Sequence, residues 1–252
     1  MLSLLSVERI KLFSTKSPYW CLAVILVATC GLSLAVSLVD DGRDATVFTS
    51  QAGGAMGLMT FMVMAALTVT TEYRFGTIRN SFLAVPQRAL VLVSKTVLMA
   101  FIGAVIGGLA ALASFFLAKT LAKEPPTPLE LNSAADYRVV LGYSALYAIG
   151  AVLAIGVGAL VRQSAGAITA LLLWPLLVET LLMLISSLQK VIPYLPFNAA
   201  FNFVSPGGSG GMFGRTAFLP GGPSANQGLV IFLVTAVVIW LVALVTVYRR
   251  DA

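Results

Sequence analysis

The chain has 252 residues, carries 16 Lys and Arg against 10 Asp and Glu, and is 59% apolar with only 10% charged residues. A soluble domain carries about 25% charged residues, so a water-soluble globule is excluded. The expected fold is an all-α polytopic membrane protein, one transmembrane domain over residues 1–252 with no room for a separate soluble module.

Residues 1–18 contain, over 2–17, the stretch "LSLLSVERIKLFSTKS". On a helical wheel Leu2, Leu5, Leu12 and Phe13 gather on one side, with Glu8 and Lys11 largely opposite. This predicts a helix lying in the membrane interface, turned into the bilayer by Pro18. A spanning helix needs about 20 mostly apolar residues. Six runs qualify, over 20–38, 51–71, 90–118, 139–161, 164–188 and 229–248. The first is longer than the roughly 7–15 residues of a signal-peptide core and no small-residue cleavage motif follows it, so it reads as a retained helix. Cys21 and Cys30 lie nine residues apart in it, on different levels of one helix, and cannot pair.

Lys and Arg in short loops set the orientation. With the N-terminus in the cytoplasm, that side holds ten cations and three acids, and the other six of each. Both termini are then cytoplasmic. The net charge of +6 reads as a topology signal and an attraction to anionic lipid, not to nucleic acid. Within the spans, Gly53 and Gly57, Gly103 and Gly107, and Gly150, Ala154 and Gly158 recur at spacing four, which predicts closely packed helices.

Two segments interrupt the pattern. Glu179 is a carboxylate inside an apolar run, one turn after Pro175, which should free the carbonyl of Leu171 and kink the fifth span. Its role reads either as a polar contact for cargo or as a hydrogen bond between helices. The last loop, 189–228, begins apolar and aromatic and ends rich in Gly and Pro. Its first half is expected to dip into the membrane, shielded by protein. Its Gly207-Gly208-Ser209-Gly210-Gly211 matches a serine-hydrolase elbow, but the chain has no His to take the serine proton, and it has no P-loop. No catalytic site, metal site or cofactor is expected in this chain.

The connector "TEYRFGTIRNSFLAVPQR", residues 71–88, is the most informative stretch. Glu72 to Arg74 mark the exit of the second span. Gly76 allows the backbone reversal that closes a helix. Thr77 can cap a short new helix, Ile78 to Ala84, with apolar positions Ile78 and Phe82 and with Val85 just after, and Pro86 stops it. Arg79 and Arg88 add positive charge. The product is a stiff cytoplasmic stub tied to two spans.

The pattern Glu72-x-x-x-Gly76-Thr77, followed by Leu83 and Pro86-x-Arg88, resembles the cytoplasmic loop of ABC-2 type exporter permeases, and the layout resembles the family along the whole chain. The resemblance implies that residues 77–86 are a coupling helix seated in a cleft of a separate P-loop ATPase. Glu72, Arg74, Gly76, Thr77, Ile78, Arg79, Phe82, Leu83, Pro86 and Arg88 would form that contact. It also implies two permease copies with two ATPases, ATP and Mg being held by the partner. The cargo path would lie between the copies along the second and fifth spans, with Thr68, Thr70, Thr71, Trp174, Glu179 and Thr180 as candidate lining. The small size is most similar to antibiotic-resistance permeases of the bacterial plasma membrane, and drugs or lipids are the implied cargo. Two other readings stay open: an ion-coupled transporter using Glu179, and a membrane anchor or signalling subunit that moves nothing.

Overall fold

Six helices long and apolar enough to cross a membrane form the body of the protein in a computed structural model, which describes residues 2–38, 45–78, 88–122, 129–206 and 222–249. The elements are α1 (Leu2–Phe13), α2 (Ser17–Leu38), α3 (Gly54–Arg74), α4 (Arg88–Leu121), α5 (Ala134–Val161), α6 (Ser164–Leu173), α7 (Glu179–Leu182), α8 (Pro196–Phe203) and α9 (Ala225–Arg249). No strand occurs among the described residues.

The bundle is built around α3 and α5, whose side chains supply most of the core, while α2 and α9 bury one narrow face each. The glycine pairs explain how tightly it closes. A Cβ on Gly53 would sit 2.1 Å from the carbonyl oxygen of Ala28, and one on Gly57 would sit 2.3 Å from the Tyr147 hydroxyl. Gly103 and Gly107 of α4 likewise face Phe61 and Tyr147. With no side chain there, α2 and α4 approach α3 and α5 at backbone distance, and dispersion contacts hold helices that lipid gives no hydrophobic reason to associate. Tyr147 stands at the centre, its ring 5.4 Å from that of Phe61.

Three expectations are corrected. The break after α1 falls at 14–16, not at Pro18. Ser14 and Thr15 turn their hydroxyls back onto the carbonyls of Lys11 and Leu12, satisfying acceptors that a helix end leaves free. Pro18 instead lies buried in the first turn of α2, where its missing N–H costs nothing. Second, the face of α1 that packs inward carries Leu5, Glu8 and Leu12, with Glu8 the most buried of them, while Ile10 and Phe13 are exposed. Third, the fifth span ends at Leu182 rather than 188. Pro175 opens a π-helical stretch, Trp174–Val178, between α6 and α7. The next turn then tightens, Met183, Leu184 and Ile185 donating to carbonyls three residues back, and the helix stops.

The expected reversal at Gly76 is present: its φ is +69°, the left-handed conformation that glycine adopts without penalty. α5 starts on a capping box between Ser133 and Asp136. The C-terminal turns of α3 and α9, the first turns of α4, and α1 all gather at one end of the bundle.

Candidate functional site

At that end, four charged side chains from three helices close into a single cluster. Glu8 and Lys11 come from α1, Glu72 from the last turn of α3 and Lys95 from the second turn of α4. The ammonium of Lys95 donates to Glu72 Oε1 at 2.9 Å and to Glu8 Oε2. Lys11 donates to the same Glu72 Oε1 at 3.0 Å and to Glu8 Oε1 at 3.2 Å. Lys95 is 3% exposed and each carboxylate 8%, whereas Lys11 reaches toward solvent. Burying one such charge alone would be prohibitive, and the set is tolerated because two cations and two anions neutralise each other at contact distance. Burial pulls the Lys11 ammonium toward neutrality, but its bonds to Glu72 and Glu8 outweigh this and hold it above its ordinary value. One atom is left over. Glu72 Oε2 is buried with no hydrogen-bond partner.

Beside the cluster lies a chamber of about 680 Å³ bounded by α1, the start of α2, α3 and α4. Its charged end is formed by Glu8, Lys11, Glu72 and Lys95, and its walls by Leu12, Met64, Leu67, Leu98 and Met99. Thr68 and Thr71 also line it, their hydroxyls bonded back to Ala65 and Leu67 of their own helix. The charges sit where α3 and α4 leave the bundle, and the apolar walls lie deeper along the same helices. The chamber is therefore amphipathic along its length.

The other expected polar positions are elsewhere. Thr70 points away from the chamber and accepts from Ser164 Oγ at 3.0 Å, tying α3 to α6. Glu179 lies fifteen residues beyond Ser164, about 22 Å along the helix. There its carboxylate receives the backbone N–H groups of Phe197 and Asn198, each at 3.0 Å, and the Asn198 side-chain amide at 2.8 Å. Those N–H groups belong to the first turn of α8, so Glu179 caps that helix from a distant part of the chain, accepting from donors that a helix start leaves free. α8 is thereby held in the bundle, with Phe197 and Phe201 in the core and Gly228 of α9 in close approach to the Ala199 carbonyl. Trp174 is half-exposed on the π-helical stretch, and Thr180 follows Glu179 on the same short helix. The structure thus places the candidate lining in two separate regions.

Of the connector, Glu72, Arg74, Gly76, Thr77 and Ile78 are described. Ile78 is buried beside Val69, Tyr73, Val91 and Val247, which roots the connector between α3, α4 and α9. Arg79, Phe82, Leu83 and Pro86 lie outside the described residues, and Arg88 begins α4.

Glu8 and Lys95 carry this site, and neither was singled out by sequence reasoning. The available signal was Lys95 itself, a cation five residues inside a run taken as a span, which needs a partner. No family model matches the chain, and neither a curated protein nor a solved structure does.

Proposed function

We propose that this chain is the permease subunit of an ATP-driven exporter of the ABC-2 type, set in a bacterial plasma membrane with both termini cytoplasmic. Two copies assemble with two copies of a separate P-loop ATPase, which holds ATP and Mg. A hydrophobic or amphipathic cargo, such as a drug or lipid, crosses by alternating access between the copies.

The observation that carries this reading is the buried cluster of Glu8, Lys11, Glu72 and Lys95 at the foot of the connector. A connector meant only to join two spans needs no such anchor. One that transmits force does, because a push on residues 77–86 must move α3, α4 and α1 together rather than bend the hinge between them. ATP binding on the partners would bias a two-state bundle through that clamped foot, which is all a ligand can supply. Glu179 engaged by three donors has an ordinary structural occupation, which gives the ion-coupled alternative less to build on.

The experiment is purification of the full chain from its native membrane in mild detergent, with quantification of whatever accompanies it. A P-loop ATPase in equimolar amount supports the reading. A chain that comes away alone, under conditions that keep other membrane complexes intact, contradicts it.

A further inference from the structure

We infer that the chamber beneath α1 is a binding site for one phospholipid whose headgroup bears a primary ammonium, of the phosphatidylethanolamine class. This does not depend on the export reading, since a membrane protein of any function could hold such a lipid.

Three observations point to it. The first is the order of polarity. Glu72 stands in the last turn of α3 and Lys95 in the second turn of α4, while Met64 lies eight residues deeper than Glu72, about 12 Å, and Met99 four residues deeper than Lys95, about 6 Å. A ligand filling the chamber must be charged at its outer end and apolar at its inner end, in the same sense as a lipid of the surrounding leaflet. The second is charge. The four ionised groups sum to zero, with cations and anions within one headgroup's reach. That suits a zwitterion, its phosphate toward the lysines and its ammonium toward the carboxylates, better than a lipid of net charge. The third is the Glu72 carboxylate, which lines the chamber and whose Oε2, closed off from solvent, has no hydrogen-bond partner. It lacks a donor, and a primary ammonium has N–H groups to give, whereas a trimethylammonium has none. The volume of about 680 Å³ lies within the roughly 300–1,000 Å³ usual for small-ligand sites. It takes the headgroup and the upper chains, leaving the tails among bulk lipid.

The test is native mass spectrometry of the full-length chain, delipidated and then offered equal mixtures of ethanolamine, choline and glycerol phospholipids with identical acyl chains. The expected result is one tightly held ethanolamine lipid per chain, retained at least tenfold over the choline lipid. Leu67→Trp, which fills the chamber without touching a charge, should abolish that retention while leaving the lipid-free melting temperature unchanged. Glu72→Gln, if it folds, should erase the preference over choline. Equal retention of ethanolamine and choline lipids would overturn the inference, as would preference for the anionic glycerol lipid or unaltered binding in Leu67→Trp. So would equal competition by a long-chain alkylamine, which would show that the phosphate plays no part.

Discussion

Glu179 and Asn198 are joined twice: both the backbone N–H of Asn198, at 3.0 Å, and its side-chain amide, at 2.8 Å, donate to one carboxylate oxygen. The other oxygen takes the N–H of Phe197. A residue from the broken fifth span thus supplies the cap that α8 lacks in its own sequence, since Leu195 at its N-cap offers no side-chain acceptor.

Removing that cap should loosen α8 without unfolding the bundle. An intramolecular hydrogen bond contributes about 0.5–1.5 kcal/mol net, and three are lost together here. Glu179→Ala should therefore raise amide exchange across residues 196–203 by at least tenfold, while α3 and α5 stay protected. Glu179→Gln should fall between, because a carboxamide can accept from some of these donors but presents N–H to the rest. Unchanged exchange at α8 in the alanine variant would contradict the capping role.

Lys95→Met should be among the most destabilising single changes in the chain. It leaves Glu8 and Glu72 buried and facing each other with only the partly exposed Lys11 between them, and breaking a buried ion cluster costs about 3–5 kcal/mol. Lys11→Met should cost about 0–1 kcal/mol, since that pair is partly in water. Thermal unfolding in detergent compares the two directly, and equal effects would remove Lys95 from its central place.

Raising the pH should release α1 before the rest of the bundle. Lys11 is held above its ordinary 10.5 because, although burial pulls it down, Glu72 and Glu8 pull it up more strongly. A raised ammonium contributes stability that is complete below the unfolded value and disappears as pH climbs through the folded one. Protease sensitivity within residues 2–16 should stay flat from pH 7 to 9 and rise only above 10.5. A transition near neutrality would implicate some other group.

Two glycines make a matched pair for the packing account. A Cβ at Gly53 would collide with the Ala28 carbonyl, so Gly53→Ala must push α2 from α3 and should cost about 1–3 kcal/mol. Gly31, in the same α2, has nothing within 4 Å of its would-be Cβ, and Gly31→Ala should stabilise by about 0.5–1 kcal/mol. Melting temperatures that move in the same direction would show that close approach at Gly53 is not what selects glycine there.

The spans were legible because uninterrupted apolarity over 20 residues has one cheap solution in lipid, and the reversal at Gly76 because few residues adopt its φ of +69° readily. The orientation of α1 was not. A helical wheel groups Phe13 with Leu2, Leu5 and Leu12 and sets Glu8 largely opposite, and nothing local reveals that Lys95, 87 positions away, donates to Glu8. The length of the fifth span was misjudged for a related reason: the apolar run continues past Leu182, but the π-helical stretch at Pro175 and the tightened turn after it end the helix first. Glu179 was visible as an anomaly from sequence. Its partner was findable too, since Pro196 at a first helical position marks a helix start whose donors need an acceptor.

The central claim is that residues 77–86 meet a nucleotide-driven partner, and a photo-crosslinking residue placed at Phe82 in native membranes tests it most directly. A control probe goes at Asn132, at the opposite end of the bundle. Irradiation followed by mass spectrometry should recover a P-loop ATPase joined to position 82 and none at position 132. Recovery of only lipid, or of this chain alone, from position 82 would contradict the account.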